Sequence, residues 1–161
     1  MTPLALQEFL VTEISTLLEG LQLKNEAGEL SNIAVFSQYL PVDETGQKVE
    51  PFPYVRVILK FGKDPDETGP YQWIVDFIAG VCDKSVDCQG YRDAFNVLQK
   101  IYDHLMRWRI FDQKYEVGYP VKWKLMGGAW QFIDDSQYPY FHVGLKTVWT
   151  IGKITMADTF D

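Results

Sequence analysis

Cysteine and positive charge are both scarce in this chain. Cys82 and Cys88 are the only thiols in 161 residues, with five residues between them. That spacing fits neither a zinc nor a redox pattern, and two thiols cannot complete a tetrahedral site. His104 and His142, the only histidines, fall on a predicted helix and a distant predicted strand, so no metal is expected. Fifteen Lys and Arg stand against 22 Asp and Glu, giving a formal charge of −7, and the cations are scattered along the chain. A phosphate backbone calls for a clustered cationic footprint, so direct DNA or RNA binding is not expected. No apolar run approaches the roughly 18 residues needed to cross a bilayer. The start, Met1-Thr2-Pro3-Leu4, lacks the basic opening and apolar stretch of a secretion signal. A chain made and used in a cytoplasm is expected.

Catalytic signatures are missing too. There is no glycine-rich phosphate loop, no Gly-x-Ser-x-Gly elbow and no His-Glu-x-x-His helix. The carboxylate pairs Asp134-Asp135 and Asp64-Pro65-Asp66 sit in polar loops and read as solvated turns rather than acid–base or metal sites. Neither cysteine lies beside a histidine in sequence. The reading is of a protein that is not an enzyme and holds no cofactor.

What the chain does have is apolar material. Nearly half of it is hydrophobic, with ten Phe, nine Tyr and five Trp, enough for one core at a length usual for one domain. Aromatics beyond the core's needs are favoured at protein interfaces. Thr2-Pro3 reads as a hydroxyl cap followed by proline in the first turn. Leu6, Leu10, Ile14, Leu17 and Leu21 then recur every three or four residues, predicting a helix within 1–22 that ends near Gly20. Residues 23–53 read as an irregular connection containing a short strand over 33–36 and an exposed acidic loop over 41–46.

Residues 54–151 carry the sheet and a second helix. In the first strand Val55, Val57, Leu59 and Phe61 point one way and Tyr54, Arg56, Ile58 and Lys60 the other. A hairpin connection over 62–70 leads to a return strand with Tyr71, Trp73, Val75, Phe77 and Ala79 on one face and Ile74 and Ile78 on the other. Asp87 or a neighbour opens a helix whose stripe runs through Tyr91, Phe95, Leu98, Ile101, Tyr102 and Leu105. A run from Tyr115 to Leu125 keeps its large apolar residues at odd positions, with Gly118 and Pro120 bending it or setting it at an edge. After a long loop over 126–137, a last strand over 140–151 turns Phe141, Val143, Leu145, Trp149 and Ile151 inward; 152–161 form a tail. The expected fold class is α+β: an antiparallel or mixed four- to five-stranded sheet with two main helices packed on one face. The uncovered face, carrying Tyr54, Ile58 and Ile74, would meet solvent or another subunit.

Five short segments stand out by their order. They are Phe52-Pro53-Tyr54 before the first long strand, Asp87-Cys88-Gln89-Gly90-Tyr91-Arg92-Asp93 at the second helix, Tyr119-Pro120, Tyr138-Pro139-Tyr140-Phe141 before the last strand, and Trp149. Together they resemble the tail terminator (tail completion) proteins of long-tailed bacteriophages and prophages, particularly of Gram-positive hosts. The resemblance spans about residues 30 to 152. Each segment also has a purely structural explanation, such as an extended approach to an edge strand at Phe52-Pro53 and a tight strand-to-helix transition at Gly90.

The resemblance implies a structural role in a virion tail assembled in the bacterial cytoplasm. The chain would form a homohexameric ring on the last ring of tail tube protein, stop tube growth, and present a surface to the head–tail connector or neck protein. DNA would pass through without specific binding, and no membrane is involved. For such a ring, Trp108, Trp130, Phe132 and Phe160 are candidate subunit or partner contacts. Asp64, Asp66, Glu67, Asp134 and Asp135 are candidate acidic loops at the channel or its rim, since an acidic lumen lets the duplex slide. Three other readings stay open: a head-completion or neck ring of the same particle, a small-molecule or peptide-binding module using the aromatic sheet face, and an enzyme with a spatial Cys–His site.

Overall fold

The computed structural model describes residues 2–65, 67, 69–119, 121–126 and 138–152. In chain order its elements are α1 (Pro3–Leu17), β1 (Gln22–Lys24), β2 (Leu30–Asn32), β3 (Ala34–Ser37), β4 (Tyr54–Lys63), β5 (Tyr71–Cys82), α2 (Gly90–Trp108), β6 (Ile110–Phe111), β7 (Tyr115–Val117), β8 (Lys122–Met126) and β9 (Tyr140–Ile151). Among the described residues, no helix is long and apolar enough to cross a membrane.

Thr2 caps α1, its hydroxyl accepting the Ala5 N–H at 3.1 Å, with Pro3 in the first turn where a missing N–H costs nothing. Leu6, Leu10 and Ile14, each four residues apart, are fully buried. The helix stops at Leu17, and the chain turns through Gly20 with φ +82°. The second helix starts later than Asp87. That carboxylate accepts the Gln89 N–H at 3.3 Å, and α2 begins at Gly90. A Cβ on Gly90 would lie 2.5 Å from the Phe141 ring and 2.6 Å from the Asp83 Cβ, so only glycine lets the helix start this close to β9.

The fold is α+β, and the sheet is a curled, mixed seven-stranded one in the order β3-β4-β5-β9-β7-β6, with β8 also beside β9. β3 joins β4 in parallel; the other pairings are antiparallel. β9 is the spine. Along one side it pairs with the whole of β5, from Tyr71↔Ile151 to Cys82↔Tyr140. Along the other it pairs first with β8 and then with β7. The run expected over 115–125 is therefore two strands on one side of β9, separated near Gly118, whose N–H donates to the Val148 carbonyl at 2.6 Å. That split and the two-residue β6 raise the strand number above the expected four or five. The stretch 23–53 is more ordered than expected: β1 and β2 form an antiparallel hairpin, and the strand expected over 33–36 is β3.

Both helices cover the same sheet face, α1 over β3 and β4, α2 over β5 and β9. Between them lies one core that includes Leu10, Val57, Phe77, Leu98, Leu145 and Trp149. Two expectations about faces need correction. β4 carries a bulge between Leu59 and Phe61. The extra residue reverses the alternation, so Phe61 pairs with Ile74 on the far side and is 50% exposed instead of lying inward with Val57. On that far side Tyr54 and Ile58 are buried, not open: Phe52 and Tyr140 flank Tyr54, and Ile58 packs on Ile78.

Candidate interaction surfaces

Three of the five segments that carry the resemblance lie at one end of the sheet, while Trp149 stands near the other end of β9. The Phe52–Pro53 and Tyr138–Pro139 peptides, both cis, lead into β4 and β9, the two neighbours of β5. Neither is an edge strand, contrary to the reading of Phe52-Pro53; each proline precedes its strand and so costs no ladder hydrogen bond. Phe52 stacks on Tyr140 with ring centroids 5.0 Å apart and 16° between planes. The Tyr54 ring lies over Gly80, where a Cβ would stand 2.4 Å from it. Its hydroxyl is 3.0 Å from His142 Nε2, which also lies 3.5 Å from a Glu50 carboxylate oxygen. The Tyr140 hydroxyl donates to Glu26 at 2.6 Å and the Tyr138 hydroxyl to the Lys84 carbonyl.

This corner is built for packing. Burial pushes the Tyr54 phenol far above its ordinary value, so it keeps its proton. Burial also lowers His142, opposed by Glu50. Both partners face the same imidazole nitrogen, so the ring does not relay a proton from one to the other. Cys82 is buried, its thiol pushed up chiefly by that burial, while Cys88 is exposed in the turn before α2. His104 pairs with Glu13 at 2.9 Å. Among the described residues no three His, Cys, Asp or Glu side chains stand together as a metal would require.

The far face of the sheet holds a different arrangement. Cross-strand partners share a face, and the register sets Lys122 opposite Lys146, and Lys146 opposite Asp76. One step along, Lys124 faces Gly144 and Gly144 faces Ile78. With no side chain on Gly144, the surface sinks into a depression of about 220 Å³, lined by Lys60, Lys124 and Lys146 with Asp76, Phe61 and Ile78 among the rest. Lys60 Nζ lies 3.9 Å from Asp76 Oδ2, while Asp76 Oδ1 is buried without a hydrogen-bond partner among the described residues. Desolvation raises the Asp76 pKa, and Lys60, Lys146 and Lys124 each oppose that rise. Cations scattered in sequence are thus gathered by three strands, which corrects the expectation of no clustered positive charge.

The chain matches no protein-family model and no curated protein. Its own residues therefore carry the functional reading. Trp108 ends α2 and is 61% exposed, beside the equally open Ile110. Asp64 and Glu67 lie in the connection after β4, and Asp64 borders a shallow cleft with Thr2, Pro3, Tyr71 and Trp73. Lys63, Gln72, Thr150, Glu116 and Ile110 form one row across the sheet. Asp64 and Trp108 thus sit at the same end of the sheet, separated by four strand spacings, roughly 19 Å. Asp66, Trp130, Phe132, Asp134, Asp135 and Phe160 lie outside the described residues. The sequence reading missed the lysine depression. Its trace was there, in Lys122, Lys124 and Lys146 all at even positions of predicted strands, but only the register brings them together.

Proposed function

We propose that this chain is a structural phage tail protein that caps the tail tube as a ring, ends tube growth and forms the surface joining tail to head. The observation that carries this reading is the resemblance of ordered segments to tail terminators. Its support is that Phe52–Tyr54, Gly90 and Tyr138–Phe141, far apart in sequence, pack at one end of the sheet, Phe52 on Tyr140 and Gly90 on Phe141. The same corner withholds its only activated-looking groups from chemistry, which suits a scaffold.

Size is consistent with a ring. A chain of this length has a radius of gyration of roughly 15 Å and a width of about 40 Å. Six such subunits in contact leave a bore about as wide as one subunit, and a duplex about 20 Å across fits within it. Asp64 and Glu67, on the connection after β4, are the described acidic groups suited to its rim. Such a subunit resides in the virion tail and works without cofactor or catalysis.

Imaging of tails assembled with and without the protein tests the reading. Overlong tubes in its absence are the expected result. Tubes of normal length that fail to join heads would instead favour a neck or head-completion ring, and particles unchanged in both respects would refute either role.

A further inference from the structure

One part of the far sheet face is opposed in charge to the chain as a whole. Among the described residues, Lys60, Lys122, Lys124 and Lys146 gather there around one carboxylate, Asp76, on a chain whose formal charge is −7. Such a face does not suit a bore, because clustered lysines hold a duplex instead of letting it slide. It suits a contact. The depression mixes ammonium groups with the apolar surfaces of Phe61, Ile74 and Ile78, and it contains a buried acceptor, Asp76 Oδ1, that lacks a donor among the described residues.

The connection from β3 to β4 carries the complement. β8 and β3 stand four strand spacings apart, about 19 Å. After β3 the chain enters an entirely exposed stretch, 41–50, with Asp43 and Glu44 in its turn against one Lys48, while Glu50 at its end stands beside His142. Asp43 shapes its turn, one carboxylate oxygen accepting the Thr45 and Gln47 N–H groups, each at 2.9 Å, and the Thr45 hydroxyl at 2.6 Å. Tyr39 and Val42 beside it are 78% and 60% exposed. The turn thus offers negative charge and apolar surface in a preformed shape, which lowers the ordering cost of docking.

We propose that the lysine-lined depression and the adjoining β8 edge receive the Asp43–Gly46 turn of a second copy of this chain. The contact is head to tail, two different surfaces of the chain meeting, which is the heterologous geometry a closed ring requires. It rests on the ring reading above and names the subunit interface.

A charge swap tests it on the whole protein. K122E/K124E reverses exposed cations at the β8 edge. E44K/Q47K makes the turn basic while sparing Asp43. By sedimentation at low salt, each variant alone should self-associate at least about tenfold more weakly than the parent. An equimolar mixture should recover parental assembly, because the two kinds can alternate around a ring with every contact again opposite in charge. Unfolding curves of each variant establish that both are folded. A lysine variant that associates like the parent, a mixture that stays apart, or a parent that is monomeric at every salt concentration would overturn the contact. So would indefinite polymers of the lysine variant, which would show that the lysines only guard the β8 edge. Tube length is read separately. A parent protein that does not set it sinks the ring reading whatever the swap does, and a lysine variant that caps tubes normally sinks the contact alone.

Discussion

Replacing Thr147 by Val should cost far more than the change in shape suggests. Thr147 is fully buried in the middle of β9; its hydroxyl donates to the Val75 carbonyl at 2.7 Å and accepts the Trp149 indole N–H at 2.8 Å. Valine fills the same space and offers neither bond. Each stranded buried group costs about 1–3 kcal/mol, so the two together should cost about 2–6 kcal/mol. With a urea dependence of about 2 kcal/mol per molar for a domain of this kind, the midpoint should fall by roughly 1–3 M. Thr147→Ser is the control: it keeps both hydrogen bonds, removes one methyl group, and should cost about 1 kcal/mol. Urea titrations followed by tryptophan fluorescence rank the two. If the valine variant proves as stable as the serine variant, the chain from Trp149 through Thr147 to Val75 contributes nothing and the account of the core around β9 is wrong.

The corner around Tyr54 gives two more expectations. Burial holds the His142 pKa below its unfolded value, so its contribution to stability is present above about pH 6.5 and is lost as pH falls through the lowered folded value. Thermal melts from about pH 7.5 down to about pH 5 should show the parent losing more stability than His142→Gln, and parallel curves would contradict this. Gly80→Ala would push a methyl group into the Tyr54 ring, 2.4 Å away, and should destabilise by about 1–3 kcal/mol. Combining it with Tyr54→Leu, which removes the ring from that spot, should cost less than the sum of the two single changes; simple additivity in denaturant titrations would show that the two positions do not press on each other.

Periodicity in the sequence was strong where one element faces the core along its whole length. Leu6, Leu10 and Ile14 mark α1, and Phe141, Val143, Leu145, Trp149 and Ile151 mark the inner face of β9, all buried as the alternation requires. It was misleading wherever a single residue changes the phase. The bulge after Leu59 turns Phe61 outward, and Gly118 breaks one alternating run into β7 and β8 without disturbing its odd-even pattern. β1 and β2, of three residues each, are too short to leave any period. The interaction surface was least legible of all. Lys60, Lys124 and Lys146 belong to three strands, and nothing in a linear chain says which lysine lies across from which glycine; that depends on register, which is settled only by the packed core beneath.

The position of β9 has a consequence for synthesis. Among the described residues, β7 and β8 reach the rest of the sheet only through it, and β5 has no other partner on that side. A nascent chain whose residues up to Ile151 have not left the ribosome therefore can pair β3, β4 and β5 but leaves one flank of β5 without its neighbour. The sheet is therefore expected to be completed only late in synthesis, when β9 can join β5 to β7 and β8. A protein cut short before β9 would display β5 as an open template for aggregation and be cleared, so that only finished subunits accumulate.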